Sequence, residues 1–276
     1  MFPIVIQGWQ VLNRIFILTY GRSNKQITWS NLPNIWKQKT FLVVQDREKH
    51  LYDSYPIVVL PEHIQTLAPT REWIVKQNLD KRFAVLDDDL SFYRTRMKDE
   101  TGDFSKRKME ESDFVEWEKT VCEWMDQGIT FSGMDVAWNI PDRENEYKEV
   151  TRLCANVYYD GTKFPANDLD WLGCEFSEDF HVTLQLLKKG YKNRTSNRFR
   201  IDTIATQSEG GCESERTLER HNNAMKKLAE FHPGIVKLYE KEVTGGQWKG
   251  IPRLAANIAW KQCYKQSQVN SLDSFF

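Results

Sequence analysis

The chain has 276 residues, 40% hydrophobic and 28% charged, and its 38 Lys and Arg against 39 Asp and Glu give a formal net charge of −1. Such a chain buries a sizeable core in one large domain or two small ones, and it is neither a disordered tail nor a basic nucleic-acid coat; any DNA contact must use a local patch. Five scattered cysteines (Cys122, Cys154, Cys174, Cys212, Cys263) with no C-x-x-C pair read as free thiols without a zinc site, and no apolar stretch approaches the roughly 20 residues of a membrane span, which makes the cytoplasm the expected location.

RIFILTYGR (14–22) reads as a first strand closed by a turn at Gly21. SNLPNIWKQ then carries helix-entry chemistry, with Ser30 or Asn31 as cap and Pro33 in the first turn. TFLVVQD (40–46) and YPIVVLP (55–61) are two more strands, and Thr70 is placed to cap a helix through APTREWIVKQNL. FAVLDDDL is a fourth strand. Strands alternating with helices over about 90 residues predict an α/β layered fold with a mostly parallel sheet, flanked by helices, in which ligands bind at the C-terminal ends of the strands. Residues 96–112 are charged and poorly periodic and read as an exposed loop. Helical spacing recurs over 113–128, 177–191 and 215–233, with a strand at 153–160 between the first two. The ten tryptophans are expected in the core.

Asp87, Asp88 and Asp89 end the fourth strand. Three adjacent carboxylates repel one another unless something cationic offsets them. Magnesium or manganese, held by one or two carboxylates and a substrate phosphate, is such a cation. A second acidic signal, Glu178 and Asp179, opens a helix in SEDFHVTLQLLKKGY, where the helix dipole also favours carboxylates. Two basic segments, KKGYKNRTSNRFR (188–200) and SKRK (105–108), are candidate DNA phosphate tracks; Lys188, Lys189, Lys192 and Arg194 carry the first.

The strand ending in Asp-Asp-Asp resembles the D-x-D element of GT-A glycosyltransferases, and the Glu-Asp helix resembles the later acidic motif of that superfamily. With ILTYGR…QITWSNLP and TREWIVKQ, these strings over about residues 14–240 are similar to the phage TET-associated glycosyltransferases, linked to sugar transfer onto 5-hydroxymethylpyrimidines in DNA. The resemblance implies a single GT-A domain over 1–264, a UDP-sugar or other nucleotide-sugar donor, manganese or magnesium as cofactor, and phage DNA in the host cytoplasm, with 5-hydroxymethylcytosine the leading acceptor. It implies Asp87 and Asp89 as metal ligands, with Asp87 and Asp88 towards the donor. Gly21, Arg22, Gln45 and Arg71 would meet the nucleotide and its diphosphate, and Asp179, beside Glu178, would be the catalytic base. The late histidine ligand common in GT-A enzymes is missing from IATQSEGGCESER, so Gln207, Glu209 or water stands in its place.

Two rivals have distinct signatures. Nucleotidyl transfer would want a richer glycine-and-basic loop than TYGRSNKQ, and a non-enzymatic DNA-binding module would want a basic net charge. In the last twelve residues, 265–276, Leu272, Phe275 and Phe276 form one apolar face in a single helical turn, expected either to pack back on the fold, to be disordered, or to serve as a peptide ligand; the end resembles the C-terminal peptides by which phage replication proteins hold their sliding clamp, which implies a clamp as partner.

Overall fold

The computed structural model describes residues 11–96, 105–137, 139, 145–203, 211, 215–244 and 248–273. Its centre is a ten-stranded sheet. In chain order the strands are β1 (Arg14–Leu18), β2 (Thr40–Gln45), β3 (Ile57–Leu60), β4 (Arg82–Asp87), β5 (Leu90–Arg96), β6 (Ser105–Lys108), β7 (Phe131–Val136), β8 (Tyr147–Glu149), β9 (Asn156–Asp160) and β10 (Arg194–Thr203). The spatial order is β3-β2-β1-β4-β9-β7-β10-β5-β6, with β8 also paired to β10. β3, β2, β1 and β4 are parallel, β9 is antiparallel to both β4 and β7, and β7 and β10 are parallel. Following the pairings, only β5, β8 and β9 oppose the common direction, so the sheet is mostly parallel, as the alternation of elements predicts.

Helices cover both faces. Alternation along β4 sends Ala84 and Leu86 to one core and Phe83 and Val85 to the other. The first core packs beneath α1 (Ile27–Asn31), α2 (Asn34–Lys37) and α4 (Glu111–Asp126), around Trp36, Phe114 and Trp117. The second packs beneath α3 (Leu67–Lys76) and α5 (Glu178–Lys188), around Ile74, Val75, Val182 and Leu186. Trp36, Trp117 and Trp171 are fully buried, in keeping with the core role expected of the tryptophans. A third cluster joins the far side of α5 to α6 (Leu218–Phe231), α7 (Trp260–Asp273) and a hairpin of β11 (Val236–Glu242) and β12 (Pro252–Ile258).

Several local expectations are corrected. The segment after β1 is two short helices, and Pro33 is the N-cap of the second rather than a first-turn residue. Thr66, not Thr70, stands at the start of α3; Thr70 is one turn inside, its hydroxyl donating to Thr66 O. SKRK is not part of a loop but the edge strand β6. Its charged side chains suit an edge, because they discourage pairing with another chain. α7 spans residues 264 and 265, between which the domain is expected to give way to a tail; Phe275 and Phe276 lie outside the described residues, as does the side chain of Leu272. No helix among the described residues is long and apolar enough to cross a membrane.

Candidate active site

A cleft of about 570 Å³ opens at the C-terminal ends of β1, β2, β3 and β4. Leu18, Thr19, Val43, Gln45, Leu60 and Asp87 enter it from those strands, and the starts of α3 and α5 and the end of β10 close its sides. Parallel strands bring their C-terminal ends to one edge, which is why residues far apart in sequence converge here.

The aspartate triplet leaves β4 on a turn clasped by Thr28. This fully buried side chain donates to Asp87 O at 2.6 Å and accepts from Leu90 N at 2.8 Å, while its backbone N–H donates to Asp88 O at 2.9 Å. The carboxylates are offset by two arginines. Arg22 Nη1 lies 2.6 Å from Asp88 and 3.6 Å from Asp89. Arg71 Nη2 lies 2.6 Å from Asp87, and Arg71 Nε lies 3.2 Å from Glu178. Burial and the charges of Asp87 and Asp88 push the Asp89 carboxyl up to about 7, against the pull of Arg22. Burial also raises Asp87 and Glu178, and Arg71 works against both shifts. Arg71 itself is buried, which opposes its charge, but Asp87 and Glu178 hold its pKa above the ordinary value.

The two acidic motifs, some ninety residues apart in sequence, therefore meet through Arg71. Glu178 is 3% exposed and committed to that arginine, whereas Asp179 is half-buried and faces the cleft. Ser177 stands at the N-cap of α5 but makes no capping bond; its buried hydroxyl has no protein partner. Gln45 donates to Gln65 O at 2.6 Å and leaves its buried carbonyl oxygen unpaired beside the cleft. Gly21 turns the chain after β1 with φ +64°, and Gly211 stands so close to Arg22 that an added Cβ would come within 3.2 Å of its guanidinium carbon. Gln207 and Glu209 lie outside the described residues.

Among the described residues no three His, Cys, Asp or Glu side chains converge as a metal-ligand set. The hard oxygens of Asp87 and Asp89 are of the kind that suit magnesium or manganese, ions that complete their shells with water and phosphate oxygens, and among the described residues the one ion pair of Asp89 is its 3.6 Å contact with Arg22.

Lys188, Lys189, Lys192 and Arg194 are not brought to the cleft. Arg194 begins β10 and Thr203, at its other end, lines the cleft; nine residue steps separate them by about 25–30 Å. Lys192 and Arg194 both pair with Glu149, at 3.2 and 3.0 Å, and Lys188 donates to Phe231 O. The cleft draws its further cations from residues with no sequence signal: Arg152, Arg216, Lys241 and Arg253. Arg152, Lys241 and Arg253 lie outside the motifs, Arg216 ends the string IATQSEGGCESER without being singled out there, and the packing of α6 and the β11–β12 hairpin against α5 brings three of the four to the site.

Comparison with known proteins gives the chain its class: it is a glycosyltransferase. It belongs to the TET-Associated Glycosyltransferase family, whose model matches residues 13–212, a span that holds both acidic motifs. The chain is 24% identical over 200 residues to the Beta-glucosyl-HMC-alpha-glucosyl-transferase of Enterobacteria phage T2, covering 70% of this chain and 71% of that one. The protein of the same name from Enterobacteria phage T6 is 24% identical over 201 residues, with 70% and 72% covered. Among solved structures, S. aureus TarS 1–349 aligns with a TM-score of 0.41 and 12% identity, over 78% of this chain and 65% of that one.

Proposed function

We propose that the enzyme moves a sugar from a nucleotide-sugar donor, UDP-linked in the first instance, to 5-hydroxymethylcytosine in phage DNA. The observation that carries this reading is the meeting of the Asp87–Asp89 turn with Asp179 in one cleft, in a chain of a DNA-linked glycosyltransferase family. Gln45, at the end of β2 with an unpaired carbonyl oxygen, suits a donor base, and Arg22, which lines the cleft and pairs with Asp88, would meet the donor diphosphate, with Gly21 turning the chain just before it. Asp87 and Asp89 would hold manganese or magnesium, which when bound would offset charge on the departing nucleoside diphosphate. Arg71 fixes Asp87 and Glu178 in register, so that Asp179, next along α5, is directed into the cleft. There its carboxylate takes the proton of the acceptor hydroxyl as the oxygen attacks the anomeric carbon.

A second acceptor reading comes from the names of the phage T2 and T6 relatives, which describe transfer to a glucose already attached to HMC. The acceptor hydroxyl then belongs to that sugar, and the same cleft and base serve it. Donor chemistry is tested by thermal stabilisation of the full chain. Nucleotide-sugars with manganese raise the melting temperature under this reading, while a rise with nucleoside triphosphates alone points to nucleotidyl transfer.

A further inference from the structure

Charge along the cleft is unevenly satisfied. Arg22 and Arg71 are each paired with carboxylates, whereas among the described residues Arg152, Arg216, Lys241 and Arg253 have no carboxylate within ion-pair distance. Arg216 and Arg253 stand out because both carry a buried Nε with no hydrogen-bond partner, in a wall that opens on the cleft. Geometry brings both to His221, since Arg216 Nη2 lies 3.4 Å from its Nδ1 and its Nε2 bonds the carbonyl of Leu254, the residue after Arg253; in keeping with this, burial and then the Arg216 charge lower the pKa of Arg253, with Tyr239 opposing. Two cations on one wall of a cleft, neither paired with a carboxylate among the described residues, cost stability unless an anion joins them.

The wall holds this pair in place. His221 Nε2 lies 2.9 Å from Leu254 O, which makes it the donor and leaves Nδ1 as an acceptor, 3.4 Å from Arg216 Nη2. Asn222 accepts from Leu254 N at 2.9 Å, so α6 grips β12 at the residue next to Arg253. Arg216 also donates to Phe176 O, two residues before Glu178, at 3.2 Å. The pair therefore lies on the side of the cleft where α5 presents Asp179, the side from which an acceptor hydroxyl must approach. Both residues lie outside the 13–212 span of the family match.

We infer that Arg216 and Arg253 form a phosphodiester-binding site of the C-terminal hairpin wall, which grips the DNA backbone beside the acceptor nucleotide. This rests on the proposed DNA acceptor. It moves the phosphate contact from the 188–194 segment, at the far end of β10, to the mouth of the cleft. A planar guanidinium matches phosphate oxygens two at a time, and two of them fix the register of a strand without reading its sequence.

The test is the double variant Arg216→Gln, Arg253→Gln in the full chain, with Arg216→Lys, Arg253→Lys as the charge-retaining control. Affinity for hydroxymethylated DNA is titrated across salt concentrations, and affinity for the nucleotide-sugar is titrated without DNA. The glutamine variant should bind DNA at least about tenfold more weakly, and the slope of log affinity against log salt should fall by about 1 to 2. The lysine variant should keep most of that slope, and donor affinity should stay at the wild-type value in both. A weakened donor with an unchanged DNA slope would assign the pair to the donor diphosphate and overturn the inference. Unchanged binding of both ligands would make it structural and overturn it equally. If the wild-type enzyme modifies no hydroxymethylated DNA, the acceptor reading itself fails. If it does and the salt slope survives the glutamine variant, only this inference fails.

Discussion

Arg71 Nε lies 3.2 Å from Glu178 Oε1, and both side chains are buried. With the 2.6 Å contact from Arg71 to Asp87, this pair ties the end of β4 to the start of α5, and so one acidic motif to the other. Removing one partner of a buried ion pair strands the other charge, at a cost of about 3–5 kcal/mol. Arg71→Gln strands two carboxylates and should destabilise by at least about 3 kcal/mol, measured by chemical denaturation. A change below about 1 kcal/mol would show that Asp87 and Glu178 do not depend on this cation.

Asp89→Asn should reduce turnover at least about 100-fold while the fold survives. Burial and two like-charged neighbours already oppose ionisation of this carboxyl, so relieving about 1 kcal/mol of repulsion should leave the melting temperature unchanged or raise it by about 2–4 °C. Near-wild-type turnover in the purified variant would remove Asp89 from the metal site.

Asp179→Asn should keep donor affinity and lose turnover by about 10²-fold or more, the usual scale for removing a general base. Loss of donor binding instead would move Asp179 to the donor site.

Much of this was legible in the sequence, for stated reasons. β1, β2 and β4 are apolar runs buried on both faces, β3 is an apolar run at the sheet edge with Leu60 buried, and α4, α5 and α6 carry helical spacing with Gly128, Gly190 and Pro233 just beyond their ends. The triplet was legible because three adjacent charges need a reason. β10 was not, since RTSNRFRIDT reads as a basic run. In the fold, Thr195, Ser196, Asn197 and Arg200 are buried and several of these polar groups bond to neighbouring chain, as when Arg200 donates to Val136 O. Hydrogen bonding across a sheet, not hydropathy, makes that strand. Thr28, Arg216 and Arg253 were equally hidden, because their roles depend on what tertiary packing brings opposite them.

Thr28→Val tests the clasp on the triplet. The variant keeps the side-chain shape but leaves Leu90 N and Asp87 O without their hydroxyl partner, which should cost about 1–3 kcal/mol and loosen the turn. Weaker donor binding alongside the lost stability is expected; an unchanged melting temperature would show that the clasp is dispensable.

Acid should destabilise the enzyme through its buried histidines. Burial, with nearby cationic charge, lowers His221 to about 4 and His232 to about 3, and His181, 2.8 Å from His232, is lowered by burial too. A folded-state pKa below the unfolded value near 6.5 means that the unfolded chain binds more protons between the two values. The histidines' contribution to stability is then full above about pH 6.5 and falls on acidification, by up to about 1.4 kcal/mol per pH unit for each histidine, while the raised Asp89 and Glu178 carboxyls contribute the opposite slope as they take up protons in the folded state. His232→Gln should flatten the fall between pH 6 and 4.5, as read by denaturant unfolding, and an equally steep fall would exclude His232 as a source.

The central claim, sugar transfer onto hydroxymethylated DNA, is tested most directly by mass spectrometry of nucleosides. DNA carrying 5-hydroxymethylcytosine, and the same DNA already β-glucosylated, are incubated with the enzyme, manganese and a panel of nucleotide-sugars, then digested to nucleosides. The account predicts a nucleoside heavier by one sugar unit from at least one of the two DNAs, absent with Asp179→Asn. An unmodified nucleoside profile from both DNAs, across the whole panel and with folded wild-type enzyme, would contradict it.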